Sequence, residues 1–325
     1  THFFHSRNFY STLFCKVFSG SCLTRCYYKR QEMSTIKNII KNIFSIDRKI
    51  GVILRKRYSS FHVTRPYEIN LSDHGRFQGK VAVVIGGSGA IGRACCCRLA
   101  AEGANVIVCG THNESIQPVV NEINTLGYKA NACIINVKDD DDITLKFEKL
   151  ISQFGHIDIF IYTAGGSARE KHANIVSQDF SVIDNTLSTN LRGAIFCSQK
   201  AAIQMRKQKS GKIIFISSVI GLQGKAGYSE YAASKAGIIA YTKSLAMELG
   251  KGGINVNCIS PGIVQRGEVT PEIIDKITKT NYSYTYGKPE DIANTAAFLA
   301  SDESSFIIGQ NIIVDGGRSL GLRGD

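Results

Sequence analysis

The sequence predicts an α/β fold, a doubly wound parallel sheet with helices on both faces, formed by a single domain behind a basic N-terminal extension. Three observations carry this. Short continuous apolar runs, beginning with Val81-Ala82-Val83-Val84-Ile85, alternate along the chain with longer stretches of helical spacing. A strand buried on both faces needs no polar side, so it reads as an unbroken apolar run. The first run passes directly into Gly86-Gly87-Ser88-Gly89-Ala90-Ile91-Gly92 and then into a helical stretch, the strand-turn-helix order in which a backbone can approach a pyrophosphate. Finally, no second change of character follows residue 79, so the 325 residues hold one large domain.

Taken in order, residues 1–32 are rich in Phe, Tyr, Ser and Arg and hold one acid, Glu32, before Met33. They read either as a fragment of an organellar transit peptide or as upstream sequence translated in frame. Their aromatic and Cys content favours the second reading. Residues 33–77 form a basic extension and linker. Ile36, Ile39, Ile40 and Ile43 share a helical face, and Arg55-Lys56-Arg57 follows Val52-Ile53-Leu54. This is either an interfacial helix drawn to anionic lipid or a solvated extension.

The catalytic domain is expected over residues 78–325. Its strands are expected at Val81–Ile85, Asn105–Cys109, Ala130–Ile135, Ile157–Tyr162, Lys212–Ile216, Ile254–Ile259 and Asn311–Val314. Helices are expected from Arg93 toward Gly103, then to Leu126, over Asp140–Phe154, over Asp179–Lys207, and through Tyr231 to Leu249. Two more are expected at Pro271–Thr280 and after Pro289.

Charge and cysteine usage narrow the function. The net charge of +12 sits almost wholly in residues 1–66, which carry 13 Lys or Arg against Glu32 and Asp47. The remainder holds 26 basic and 25 acidic residues, so no basic face for nucleic acid is implied. No run of about 18 apolar residues spans a membrane. Cys95, Cys96 and Cys97 are consecutive, no C-x-x-C occurs, and Cys109, Cys133, Cys197 and Cys258 fall in apolar stretches. That pattern fits buried free thiols in a reducing compartment, and a cytoplasmic location is expected. The seven scattered histidines give no metal-ligand spacing.

The chemistry centres on Ser218 to Lys235. Tyr231 and Lys235 lie four apart and so share one helical face. A phenol titrates near pH 10 when unperturbed, at about 10, and an ammonium one turn away favours its phenolate. Ser218 follows the apolar run Lys212–Ser217, where its hydroxyl would meet the phenol at the sheet's carboxyl edge. Such a trio can hold a carbonyl oxygen and exchange a proton with it. Alone, the Tyr/Lys pair is equally the mark of an ordinary surface helix.

Together these features resemble the short-chain dehydrogenase/reductases, over about Gln78 to Arg318. The resemblance implies a seven-stranded Rossmann-type sheet, a nicotinamide cofactor and interconversion of alcohols and carbonyls. Gly86, Ala90 and Gly92 take the places of the family's three glycines, with Ala90 a departure. Asn190 matches an Asn that holds a helix distortion and a water. Ser218, Tyr231 and Lys235 match the catalytic Ser and the Y-x-x-x-K pair, with 13 residues between Ser and Tyr. Pro261-Gly262 and Val314-Asp315-Gly316-Gly317 match two further turns. Cofactor contacts are then implied for Gly86, Ser88, Ala90, Ile91 and Gly92, for Thr111, and for Asn136 and Val137. They are also implied for Ala164 and Gly165, for Tyr231 and Lys235, and for Pro261, Gly262 and Val264. Departures stand at Tyr162-Thr163-Ala164-Gly165, at Asn136 in place of Asp, and at Arg266 in place of a Thr beside the carboxamide.

At the end of the second strand, Gly110 replaces the carboxylate that would select NAD(H), with Thr111 and His112 beside it. NADP(H) is therefore expected ahead of NAD(H), with Arg93 in reach of a 2′-phosphate. The polar segment between Pro261 and Pro289 resembles the 3-oxoacyl-carrier-protein reductase and sugar or polyol dehydrogenase branches. Arg266 either meets an anionic substrate, such as a phosphopantetheine thioester or nucleotide sugar, or pairs with Glu268. A non-catalytic NADP(H)-binding sensor is the reading from another class, and the intact Ser218, Tyr231, Lys235 and Asn190 argue against it. The resemblance implies a homotetramer or homodimer.

Overall fold

A computed structural model describes residues 75–167, 171, 173–267 and 270–321. The expectations for residues 1–32 and, as far as residue 74, for the basic extension of 33–77 lie outside the described residues.

Seven strands form one parallel sheet: β1 (Val81–Ile85), β2 (Asn105–Gly110), β3 (Lys129–Ile134), β4 (Ile159–Tyr162), β5 (Gly211–Ile216), β6 (Ile254–Pro261) and β7 (Asn311–Val314). Their order is β3-β2-β1-β4-β5-β6-β7. The sheet therefore winds outward from β1 in both directions, and β1 and β4, paired as far as Ile85 and Tyr162, mark the switch point at whose carboxyl end the connections leave to opposite sides. The register is continuous, with Val83 opposite Ile107 on one side and Phe160 on the other.

Alternation along β1 shows why the run is wholly apolar. Val81, Val83 and Ile85 point into one core layer, while Ala82 and Val84 point into the other. The first layer lies under helices α3 (Asp140–Phe154), α5 (Gly193–Gln208) and α7 (Ser229–Leu249). The second lies under α1 (Ala90–Ala101), α2 (Asn113–Thr125) and α9 (Pro289–Ala300). Phe147, Phe160 and Phe215 fill the first layer with almost no exposure. The seven described cysteines are free thiols, six of them buried in these layers.

Local chemistry sets the helix ends. The Asp139 side chain accepts from the Asp141 and Asp142 amides to start α3, and Gly155 in the left-handed region ends it. Helix α1 begins at Ala90, three residues ahead of the expected Arg93, because the glycine-rich turn itself winds into the first turn. The expected helix over Asp179–Lys207 is real but interrupted. It comprises α4 (Phe180–Leu187), a π-helical turn at Ser188–Arg192, and α5. The chain then completes the carboxyl edge with a short α6 (Ile220–Gln223) and α8 (Pro271–Thr278).

Candidate active site

At the carboxyl end of β1 the chain builds a surface from backbone. Gly86 has φ +82°, and a Cβ there would stand 2.6 Å from the Ala164 amide nitrogen. A Cβ on Gly92 would stand 2.1 Å from the Gly86 carbonyl oxygen. Only glycine permits this approach of turn, helix and β4. Thr163 seals it, donating to the carbonyls of Ile85 (2.8 Å) and Gly86 (3.0 Å). The N-terminus of α1 has no side-chain cap and no acid in its first turn, so its N–H groups suit a diphosphate. Ser88, Ala90 and Ile91 are half-buried along this turn, and the Ala90 methyl occupies the first helical position.

The flanking contacts fall into two groups. Thr111 and Asn136 are exposed at the ends of β2 and β3. Asn136 Oδ1 accepts from the Lys138 amide at 3.2 Å, which leaves its amide nitrogen for a base. Val137 is buried and packs where a Cβ on Gly193 would touch it at 3.1 Å. Ala164 and Gly165 follow β4. Pro261 ends β6, Gly262 donates to Val314 at 2.9 Å, and Val264 is buried and bridged to Gly287. The expectation for Arg93 needs correction. Its guanidinium forms a two-pronged ion pair with Glu122 on α2, so it is already engaged rather than aimed at the second strand's end.

The other half of the edge is built from side chains. Ser218 follows β5, and its Oγ accepts from the Ile220 amide at 3.2 Å. That bond uses an acceptor lone pair and leaves the hydroxyl proton free to donate. Tyr231 and Lys235 stand one turn apart on α7, with Lys235 Nζ 5.8 Å from the Tyr231 ring centroid. Ser218, Tyr231 and Lys235 are all buried. Burial pushes the Lys235 ammonium down to about 8, an effect that the Cys258 thiol opposes and Arg266 reinforces. Nζ donates to the Ile216 carbonyl at 2.8 Å. Its two other protons have no acceptor among the described residues, so a ribose hydroxyl fits there.

Asn190 sits inside the π-helical turn and is 1% exposed. Its Oδ1 accepts from Gly166 N (3.1 Å), and its Nδ2 donates to Gly166 O (3.1 Å) and Ser234 Oγ (3.0 Å). The side chain thus ties the loop after β4 to α7. Tyr162, standing where the family has Asn, donates from its hydroxyl to Thr189 O at 2.5 Å. Burial holds that phenol well above its ordinary value, so it stays a donor to a carbonyl of the distorted turn.

Ser218 and Tyr231 line one cleft of about 500 Å³, together with Gly262 and Arg266. Ser167, Tyr228 and Arg318 also line it; Tyr228, three residues before Tyr231, is the rival phenol, while Ser167 and Arg318 carried no sequence signal for this place. Ser217 and Tyr228 are the neighbouring hydroxyl groups that could be mistaken for Ser218 and Tyr231, and the structure separates them. Ser217 is committed to the Lys235 carbonyl at 2.7 Å. Tyr228 lies 4.4 Å from Lys225 Nζ, but Lys225 is exposed, where water screens its charge. Glu268, the alternative partner of Arg266, lies outside the described residues.

Comparison with known proteins places this geometry. The family model described as enoyl-(acyl carrier protein) reductase matches residues 86–319. A 3-oxoacyl-[acyl-carrier-protein] reductase FabG of Staphylococcus aureus is 39% identical over 243 residues, covering 73% of this chain and 97% of the relative. A cyclohexanol dehydrogenase of Rhodococcus is 34% identical over 272 residues, covering 76% and 98%. The crystal structure of a putative gluconate dehydrogenase from Agrobacterium tumefaciens superposes with a TM-score of 0.72 at 29% identity, covering 77% of this chain and 100% of that one. With a parallel seven-stranded sheet, a glycine-built edge, Ser and Tyr at one cleft and a buried Lys one turn from that Tyr, the chain belongs to the short-chain dehydrogenase/reductases, oxidoreductases that interconvert alcohols and carbonyls with a nicotinamide cofactor.

Proposed function

We propose that this protein reduces a 3-oxoacyl thioester, with NADPH as the favoured reductant, and that Ser218, Tyr231 and Lys235 perform the proton chemistry. The observation that carries the catalytic assignment is the shared cleft. Ser218 and Tyr231 line it, and Lys235 stands behind them with a burial-weakened ammonium.

The nicotinamide, when bound, supplies or accepts the hydride. The Ser218 hydroxyl, oriented by the Ile220 amide, donates to the substrate oxygen and fixes its direction. Tyr231 delivers its phenolic proton to that oxygen in reduction and takes it back in oxidation. Lys235 favours the phenolate and offers its remaining donors to a ribose. Asn190 is a positioning residue, since its side chain is spent on Gly166 and Ser234. The turn of Gly86 to Gly92 would hold the diphosphate, and Asn136 the adenine.

The preference for NADPH rests on what surrounds Gly110. A Cβ there would lie 3.6 Å from Ser88 Oγ and 4.0 Å from Ser115 Oγ, and Thr111 and His112 adjoin it. Ser88 and Thr111 offer hydroxyls, Ser115 already donating to the His112 carbonyl at 2.8 Å, and none of these groups is a carboxylate that would repel a 2′-phosphate. NAD(H) remains the alternative, because Arg93 is held by Glu122.

The acyl substrate is supported by the relatives that carry that name, which this chain matches over 97–98% of their length at 36–39% identity. A sugar or polyol dehydrogenase is the second reading, favoured by the likeness to a putative gluconate dehydrogenase. Exposed Met247 and Phe306, with Ile313 on the edge strand β7, support a homotetramer or homodimer. Buried free thiols support a cytoplasmic setting.

Following absorbance of NADPH and NADH with acetoacetyl thioesters and keto-sugars tests the substrate. NADPH loss with the thioester, at least tenfold faster than with NADH, is the expected result. Turnover with keto-sugars alone would replace the acyl reading.

A further inference from the structure

The cleft carries an unusual excess of positive charge. Arg266, Arg318 and Lys225 line it, and no acid does among the described residues. Arg318 follows the Val314–Gly317 turn, and its main chain is fixed by Asp315, whose carbonyl accepts from the Arg318 amide at 3.3 Å. The Asp315 carboxylate is taken up by the amides of Gly317 (2.8 Å) and Ser319 (2.7 Å). It therefore holds the turn rather than the guanidinium. Arg318 Nη1 is buried and has no hydrogen-bond partner among the described residues. A guanidinium nitrogen withdrawn from water needs an acceptor, and a folded chain supplies one for nearly every such group.

Arg266 stands at the opposite side of the need. It is exposed, lines the same cleft, and lies near enough to Lys235 to lower that ammonium further. Arg266 and Arg318 share a cleft lined by no acid among the described residues, so an anion between the two walls would relieve both groups. A planar fork also matches the paired oxygens of a carboxylate or phosphate.

We propose that Arg318 and Arg266 form an anion subsite, so that the substrate presents a carboxylate or phosphate to the cleft in which Ser218 and Tyr231 hold its carbonyl. This deepens the reductase reading and rests on it for the place of the carbonyl. The subsite itself rests on the two arginines.

Three compounds sharing one 3-oxo group distinguish the sources of the anion: acetoacetate (carboxylate), acetoacetyl-CoA (phosphates) and acetoacetyl-N-acetylcysteamine (neutral). Turnover is measured with NADPH for the parent chain, Arg318→Met, Arg318→Lys and Arg266→Met. The anionic compound that fits should have at least a tenfold lower KM than the neutral one. Both Met variants should remove that advantage, read as the ratio of KM for the neutral and anionic compounds within each variant, and Arg318→Lys should restore part of it. Raised salt should erode the same advantage.

Binding is read separately from turnover, as the rise in Tm that acetoacetate or CoA produces in the presence of NADPH, against methyl acetoacetate. A rise specific to an anion and lost in Arg318→Met supports the subsite even if no compound turns over, an outcome that would sink only the acyl reductase reading. Equal KM values for neutral and anionic compounds, or anion effects unchanged in both Met variants, would overturn the subsite. Circular dichroism of each variant establishes that it folds, and Arg266→Met, altering an exposed side chain, keeps the test available if Arg318→Met does not.

Discussion

The carboxyl edge of the sheet is built in two ways. On the β1–β2 side the working surface is backbone: carbonyls, amides and glycines pressed together, with Thr163 stitching β4 to the turn. On the β5–β6 side it is side chains: Ser218, Tyr231, a buried Lys235 and the two cleft arginines. The first half serves a diphosphate, whose charge any array of N–H groups can meet. The second must move a proton at one atom, which requires particular functional groups in particular protonation states. The first half should therefore fail through shape, and the second through chemistry with the fold intact.

The largest expected loss of stability is Gly92→Val. Its Cβ would lie 2.1 Å from the Gly86 carbonyl oxygen and 2.8 Å from Thr163 Oγ1, with no flexible neighbour to yield. Urea unfolding should show a loss on the order of 4 kcal/mol or more. Gly89→Ala provides the contrast within the same turn, since its new methyl meets nothing closer than 3.5 Å. It should change stability by less than about 1 kcal/mol, because alanine is only modestly worse than glycine at a helix N-cap and its φ of −70° is one that alanine adopts. Equal costs for the two would break the claim that shape governs this half.

The side-chain half makes the opposite prediction for Lys235→Met. The folded ammonium titrates at about 8 rather than 10.5, so at pH 7 the native state carries a desolvation cost of about 3 kcal/mol. Between the two values the unfolded chain holds a proton that the native chain has released, so this cost disappears as pH rises from 8 to 10.5. Removing the ammonium should raise stability at pH 7 by about 2 kcal/mol, after loss of the bond to Ile216, worth about 1 kcal/mol. The gain should shrink toward zero as pH approaches 10.5, while turnover is lost throughout. A variant less stable than its parent at pH 7 would show that Lys235 is structural.

The two halves also differed in how far the sequence disclosed them. Strands β1 and β7 and helix α3 matched their expected limits, because an unbroken apolar run and an Asp139 cap with Gly155 at the far end are local signals. Glycines at Gly86 and Gly92 are likewise readable, since the requirement lies in the turn itself. The π-helical turn at Ser188–Arg192 was legible only through the Asn190 resemblance, because tertiary bonds from Tyr162 and to Gly166 accompany it. Arg93 misled for a related reason. Its position suggested reach toward β2, but Glu122, 29 residues on, captures it. Arg318 gave no signal at all, since its entry into the cleft depends on where β7 returns to the sheet edge.

The central claim is that Tyr231 transfers the proton, and Tyr231→Phe tests it most directly. NADPH affinity, from the fluorescence of the bound cofactor, and kcat are measured on the same preparation. Affinity should stay within about threefold, because the phenol ring is kept, while kcat should fall by about 10²–10⁴-fold, the range for removal of a general acid. Retention of a tenth or more of the parent turnover, with affinity unchanged, would contradict the assignment and direct attention to Tyr228.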